Sequence, residues 1–248
     1  MDIHKPKPWH GVREFLKEYV IIVVGVLTAL GAEQVAVALR DRHAAAEARG
    51  AVYTEIRLNL SYMQGRMATQ ACVERRLDEI GTLLVKAGEG PLTPRPDWIG
   101  QPSSWLIAAQ RWQAATGSGR VSLFDDAEQG RLAGVYSPLS RFADAQESEQ
   151  AAWAQLRGLE TWTGPLGPAG RIHFLSALQQ ARYELWNTRV AMEIAFRRAR
   201  ALGITKETPK ATEAGYELPH AVCLPIDTPR DEAVSQLAVD SPPWGQPR

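Results

Sequence analysis

Tyr19 to Ala32 reads YVIIVVGVLTALGA, fourteen residues without a charge, and after Glu33 and Gln34 the apolar run resumes as VAVAL to Leu39. As a helix, the 21 residues from Tyr19 to Leu39 reach about 31 Å, close to the roughly 30 Å hydrocarbon core of a bilayer. The flanks suit a transmembrane helix: Lys5, Lys7, Arg13 and Lys17 precede it, and Trp9 and Tyr19 are amphipathic aromatics that favour the headgroup layer. A cleaved signal peptide competes, with Ala36-Val37-Ala38 as its A-x-A site. Glu14 and Glu18 dilute its basic n-region, and no proline or glycine follows to end the helix. A buried core helix also competes, but no polar stripe interrupts Val20 to Leu27.

Outward from this run, charge sets limits. Lys and Arg number 28 and Asp and Glu 28, so no net field draws the chain to a polyanion and nucleic acid is not an expected partner. Four cations precede the run, and Arg40, Arg42, Arg49 and Arg57 follow it, so the positive-inside count is a tie. Long C-terminal domains translocate largely regardless of charge, which favours a cytoplasmic N-terminus and a periplasmic bulk at the inner membrane. The expected partners are the bilayer and either a second copy or another membrane protein. Glu33 and Gln34 are candidate oligomer contacts if the span reaches Leu39. If it ends near Ala32 they are interfacial, which snorkelling latitude favours.

Proline draws the rest of the outline. None lies between Pro8 and Pro91, which permits one helix or two collinear ones from about Val12 to Ala87. Tyr53, Ile56, Leu60, Met63 and Met67, then Leu77, Ile80 and Leu84, form one apolar stripe, while Glu55, Arg57, Asn59 and Arg66 are expected to face elsewhere. Four prolines in residues 88–102 predict an ordered loop. Ser103 is expected to begin a helix that ends at Gly117-Ser118-Gly119. Ser122 with Asp125 resembles a capping box, and Ser137-Pro138 reads as a cap and helix boundary. Phe174, Leu178, Ala181, Leu185, Thr188, Met192, Ala195, Ala199 and Leu202 make a heptad seam, stopped by Gly203. Residues 204–248 hold seven of the sixteen prolines and read as extended or disordered, except that Ala221 to Ile226 could lie along the bundle.

The expected fold is therefore all-α: a short tail (1–18), a transmembrane helix (19–39), an antiparallel four- or five-helix bundle (40–203) and a Pro-rich tail (204–248). The order Phe15-Leu16-Lys17-Glu18-Tyr19-Val20-Ile21-Ile22-Val23-Val24-Gly25-Val26-Leu27-Thr28-Ala29-Leu30, with Glu55-Ile56-Arg57-Leu58-Asn59-Leu60, resembles a group of uncharacterised bacterial single-pass membrane proteins with an IVxGVLxAL-type segment. Trp112 and the run from Ser118 to Leu139 are similar to the same group. The resemblance implies membrane location and an α-helical body, and brings no catalytic residue. This chain departs from the group at Gly31-Ala32-Glu33-Gln34, where Asn-Trp is frequent.

Chemistry-bearing patterns are sparse. No two of His4, His10, His43, His173 and His220 stand within four residues of each other, so the usual zinc spacings are missing. His43 and Glu47 read as a solvated i, i+4 pair. Neither a nucleophile elbow nor a phosphate-binding glycine loop occurs, and neither a cofactor nor an enzymatic activity is expected. Trp105, Trp112, Trp153 and Trp186 fall on apolar helical faces; they are read as core, or alternatively as walls of a ligand pocket coupled to the membrane helix. Cys72 and Cys223 could pair in an oxidising compartment or remain buried thiols. The function expected is contact: an interaction, scaffold or accessory subunit of a bacterial envelope.

Overall fold

With no proline between Pro8 and Pro91, every interior amide of that stretch can donate, and the backbone stays helical along almost all of it. The computed structural model describes residues 11–204 and 221–232. In it, α1 runs Val12–Ala68 and α2 Gln70–Ala87, parted by Thr69 alone. Thr69 keeps a right-handed conformation (φ −97°, ψ −1°), and its hydroxyl donates to the Arg66 carbonyl at 3.0 Å. The 57 residues of α1 span about 85 Å. No residue from Val12 to Ala44 is buried; the first to be covered is Ala45. The most apolar 18-residue window of α1 is 0% buried, so none of the described helices encloses it.

After α2 come α3 (Gln110–Gly117), a 3₁₀ turn (Arg120–Leu123), α4 (Asp126–Leu156), a second turn (Arg157–Glu160), α5 (Gly167–Ala201) and a short turn at Ala221–Cys223. The chain is all-α; among the described residues the only ladder contact is an isolated bridge between Pro91 and Pro165.

Two apolar cores lie end to end. The first joins Val52, Ile56 and Met63 of α1 to Leu132 and Phe142 of α4 and to Met192 of α5. The second joins Leu77 and Leu84 of α2 to Trp153 and Leu156 of α4 and Phe174 and Leu185 of α5. As numbering rises from α1 into α2, its partners rise along α4 and descend along α5. The two leading helices therefore act as one rod, parallel to α4 and antiparallel to α5. A polar layer containing Arg66, Thr69, Glu149, Asn187 and Thr188, all buried, separates the cores. The seam of α5 is buried from Phe174 to Ala199, with Leu202 half-buried, because a strict three-four alternation keeps one face turned toward α4.

Several local expectations are corrected. Ser103 does not start a helix: residues 101–109 are neither helix nor strand, and α3 begins at Gln110. Ser122 lies in the 3₁₀ turn; the cap of α4 is Asp125, whose carboxylate accepts from the Glu128 amide at 2.7 Å. Pro138 does not end a helix but sits inside α4. The carbonyl that its missing N–H would have bonded, Gly134 O, instead accepts from Arg198 Nη1 of α5. Met67 leaves the apolar stripe and is 44% exposed, whereas Glu55, Asn59 and Arg66 turn inward. Lys5, Lys7 and Trp9 of the N-terminal flank, and the tail at 205–220 and 233–248, lie outside the described residues, whereas Arg13 and Lys17 belong to the first turns of α1.

Candidate functional site: an irregular segment gripped by buried side chains

Pro102 removes an amide and disfavours a helix before it, and the paired serines Ser103 and Ser104 offer little to bury. The segment from Pro102 to Ala109 consequently has main-chain groups that no regular structure satisfies, and side chains from α1 and α4 meet them. Gln146 Oε1 accepts from the Trp105 amide at 2.9 Å while its Nε2 donates to the Trp105 carbonyl at 3.1 Å. Asn59 does the same to Ala108, accepting at 2.9 Å and donating at 2.7 Å. Gln150 Nε2 donates to the Pro102 carbonyl at 2.8 Å. Asn59 is 0% exposed and Gln146 3%, so each amide is used indoors, where an unmet partner would be costly.

Glu55 completes the grip. Its Oε2 accepts from the Arg111 amide at 2.7 Å and its Oε1 from that of Trp112 at 3.2 Å. These are first-turn amides of α3, whose own N-cap is Ala109 and has no capping side chain. The Tyr136 hydroxyl donates to Glu55 Oε1 at 2.6 Å, and burial beside that carboxylate pushes the phenol's pKa well up. Two ring stacks add area: Trp105 on Tyr62 with centroids 5.6 Å apart, and Trp112 on Tyr136 at 5.0 Å.

Arginines hold the neighbouring irregular pieces. The Arg66 guanidinium donates to both oxygens of Glu149 (2.6 and 2.9 Å), both side chains being fully buried, and this burial raises the Glu149 carboxyl above the usual range despite the cation. Arg76, also fully buried, donates to the Ile99 and Leu224 carbonyls and to Glu79. Arg75 donates to the Cys223 carbonyl. Cys72 and Cys223 are bonded to one another, their Cα atoms 4.7 Å apart, and Val222 is buried in the second core. Residues 221–226 thus lie against α2. Beside the first core, over the Phe124 ring, Arg49 makes a two-pronged pair with Glu128, at 2.7 and 2.8 Å, and this hydrogen bonding holds the Glu128 carboxyl below its ordinary range.

The four tryptophans lie in different surroundings. Trp112 packs on the first core and Trp153 lies within the second; Trp105 belongs to the gripped segment, and Trp186 is 49% exposed beside Tyr183. Trp186 faces out because its position falls off the α5 seam. It lines a shallow cleft of about 300 Å³ with Arg182 and Arg189, while a larger cleft of about 620 Å³ beside α2 runs past Glu74, Lys86, Pro94 and Ile226. Glu33 and Gln34 are exposed on α1, and His43 meets Glu47 at 3.3 Å in water. Among the described residues no three His, Cys, Asp or Glu side chains converge as metal ligands.

Glu55, Asn59, Gln146 and Gln150 escaped sequence reasoning because polar residues on an amphipathic helix are read as outward-facing. One signal was available: Glu55 and Asn59 stand four apart, flanking Ile56 and Leu60 on the buried side. Compared with family models, curated proteins and solved structures, the chain gives no match.

Proposed function

We propose that this chain is a membrane-anchored, non-enzymatic helical module of a bacterial inner membrane, with the N-terminus in the cytoplasm and the bundle in the periplasm, acting by protein contact. The observation that carries it is the uncovered apolar stretch of α1, continuous by one helix with the bundle. From Leu39 to Ala45, the first buried residue, is about 9 Å along the helix, so a span ending at Leu39 would set the bundle at the membrane surface. The bonded cysteines favour an oxidising compartment for the bundle. A rod of this kind transmits position rather than chemistry, which fits an accessory or scaffold subunit; Glu33 and Gln34 would then serve a second copy or another membrane protein.

A topology reporter fused after Arg248 tests the orientation. Alkaline phosphatase activity with a dark cytoplasmic-type fluorophore is the expected result; a bright fluorophore with no phosphatase activity would overturn it. Crosslinking in intact membranes is expected to trap a homo-oligomer or a discrete partner. A chain that remains uncrosslinked contradicts the contact role.

A further inference from the structure

Two elements remote in sequence finish at the end of the bundle from which the apolar stretch of α1 emerges. α5 runs antiparallel to α1, so its last turns, through Ala195 and Ala199, pack in the core that contains Ala45 and Ala48. The 3₁₀ turn Arg120–Leu123 lies there too. Val121 and Phe124 are buried in the same core, and the Arg49 guanidinium sits 5.0 Å from the centre of the Phe124 ring.

What these pieces carry outward is arginine. The core takes only Ala199 from residues 197–200, which leaves Arg197, Arg198 and Arg200 exposed; Arg120 is exposed on the turn, and Arg40 and Arg42 on α1 just before Ala45. Among the described residues none of these six pairs with a carboxylate. The carboxylates nearby are mostly engaged: Glu128 with Arg49, Asp125 as the cap of α4, Glu47 beside His43. Asp41 and Asp126 remain, too few to neutralise the six. Leu123, 40% exposed, adds an apolar side chain close to Arg120. The C-terminal dipole of α5 accounts for cations on its own last turn, but not for those that the turn and α1 bring to the same end.

Along the helix, Ala45 and Ala48 stand about 9 and 14 Å beyond Leu39. Headgroups fill roughly 5–7 Å of that gap, and the potential of an anionic surface extends a further Debye length of about 8 Å. A span that ends at Leu39 therefore sets Arg40 and Arg42 among the phosphates and brings the arginines of α5 and of the turn within their field. A guanidinium also bonds two phosphate oxygens at once.

We propose that this end of the bundle is a docking surface for the anionic phospholipid headgroups of the leaflet from which α1 emerges, with the arginines taking phosphates and Leu123 entering the interface. Docking fixes the bundle against the bilayer and sets the depth of α1. The proposal rests on the anchored reading above and holds in either topology.

The test uses the full chain in nanodiscs of phosphatidylcholine, with or without phosphatidylglycerol. Ser122→Cys carries an environment-sensitive fluorophore, and a lipid spin-labelled on its headgroup is the quencher. Quenching is expected to be markedly stronger with phosphatidylglycerol, and to fall to the phosphatidylcholine level in about 1 M salt, where the Debye length is about 3 Å. It is expected to fall likewise in a variant combining Arg120→Gln, Arg197→Gln and Arg200→Gln. Each arginine near an anionic surface strengthens attachment about fivefold, so losing three weakens the docked state about a hundredfold. All three positions are exposed, and unchanged circular dichroism is expected; should the variant not fold, the lipid and salt comparisons on the unsubstituted arginines decide. Quenching that ignores phosphatidylglycerol, survives high salt or persists in a folded triple variant overturns this proposal and leaves the anchored reading standing. A chain that enters no disc contradicts the anchored reading and the proposal with it.

Discussion

Both ends of the Asn59 amide are committed to the main chain of one residue, Ala108, so Asn59→Ala strands a part-buried donor and a part-buried acceptor together. A loss of about 1–3 kcal/mol is expected by urea denaturation. Asn59→Asp is expected to be intermediate, since the carboxylate still accepts from the Ala108 amide but cannot donate to its carbonyl. Glu128 gives a pH-dependent counterpart. Arg49 holds its carboxyl below the ordinary value of 4.5, so between the folded and unfolded pKa the unfolded chain binds the extra proton. The stabilisation is complete above that ordinary value and disappears as pH falls through the folded one. Glu128→Gln is expected to flatten this acid limb in denaturation curves taken across roughly pH 3–6. Burial moves Glu149 the other way, so the difference between wild type and E128Q, rather than the raw profile, is what isolates the pair. Neither the Asn59 nor the Glu55 role was legible in the sequence, because polarity alone does not say whether a side chain meets water or a neighbouring main chain.

The α5 seam was readable because nothing interferes with a heptad repeat over that length. α4 was misread at Pro138, where a local rule lost to a tertiary contact. The Gly134 carbonyl left over by the proline is taken by Arg198, a residue 64 positions away that no window around Pro138 contains. Arg198→Ala is expected to cost about 0.5–1.5 kcal/mol in the native background and distinctly less in Pro138→Ala, where the restored amide can bond Gly134 itself. A double-mutant cycle by urea denaturation checks this; equal cost in both backgrounds would mean that Arg198 acts elsewhere. The start of α3 was misplaced for a related reason. Ser103 looks like a cap, but the cap that forms is a carboxylate borrowed from α1, which lets the helix begin seven residues later at Gln110.

The whole molecule is a long rod carrying a bundle on its C-terminal part, and the two regions differ in what covers them. The fold class, the uncovered apolar stretch and the break-free lead into the bundle all follow from proline placement and hydropathy, which act locally. The layout of two cores about a polar layer does not, since it depends on which helices meet. The cysteine pair, 151 positions apart, closes residues 221–226 onto α2. Cys72→Ser is expected to lower stability by about 2–4 kcal/mol and, on a non-reducing gel, to run with the reduced wild type and apart from the unreduced one. The central claim is that the apolar stretch of α1 is solvated by lipid. Alkaline carbonate extraction of native membranes, with mass spectrometry of the recovered chain, tests it most directly. The account predicts a chain that stays with the membranes and retains residues 19–39; release into the supernatant, or a product beginning after Ala38, would contradict it.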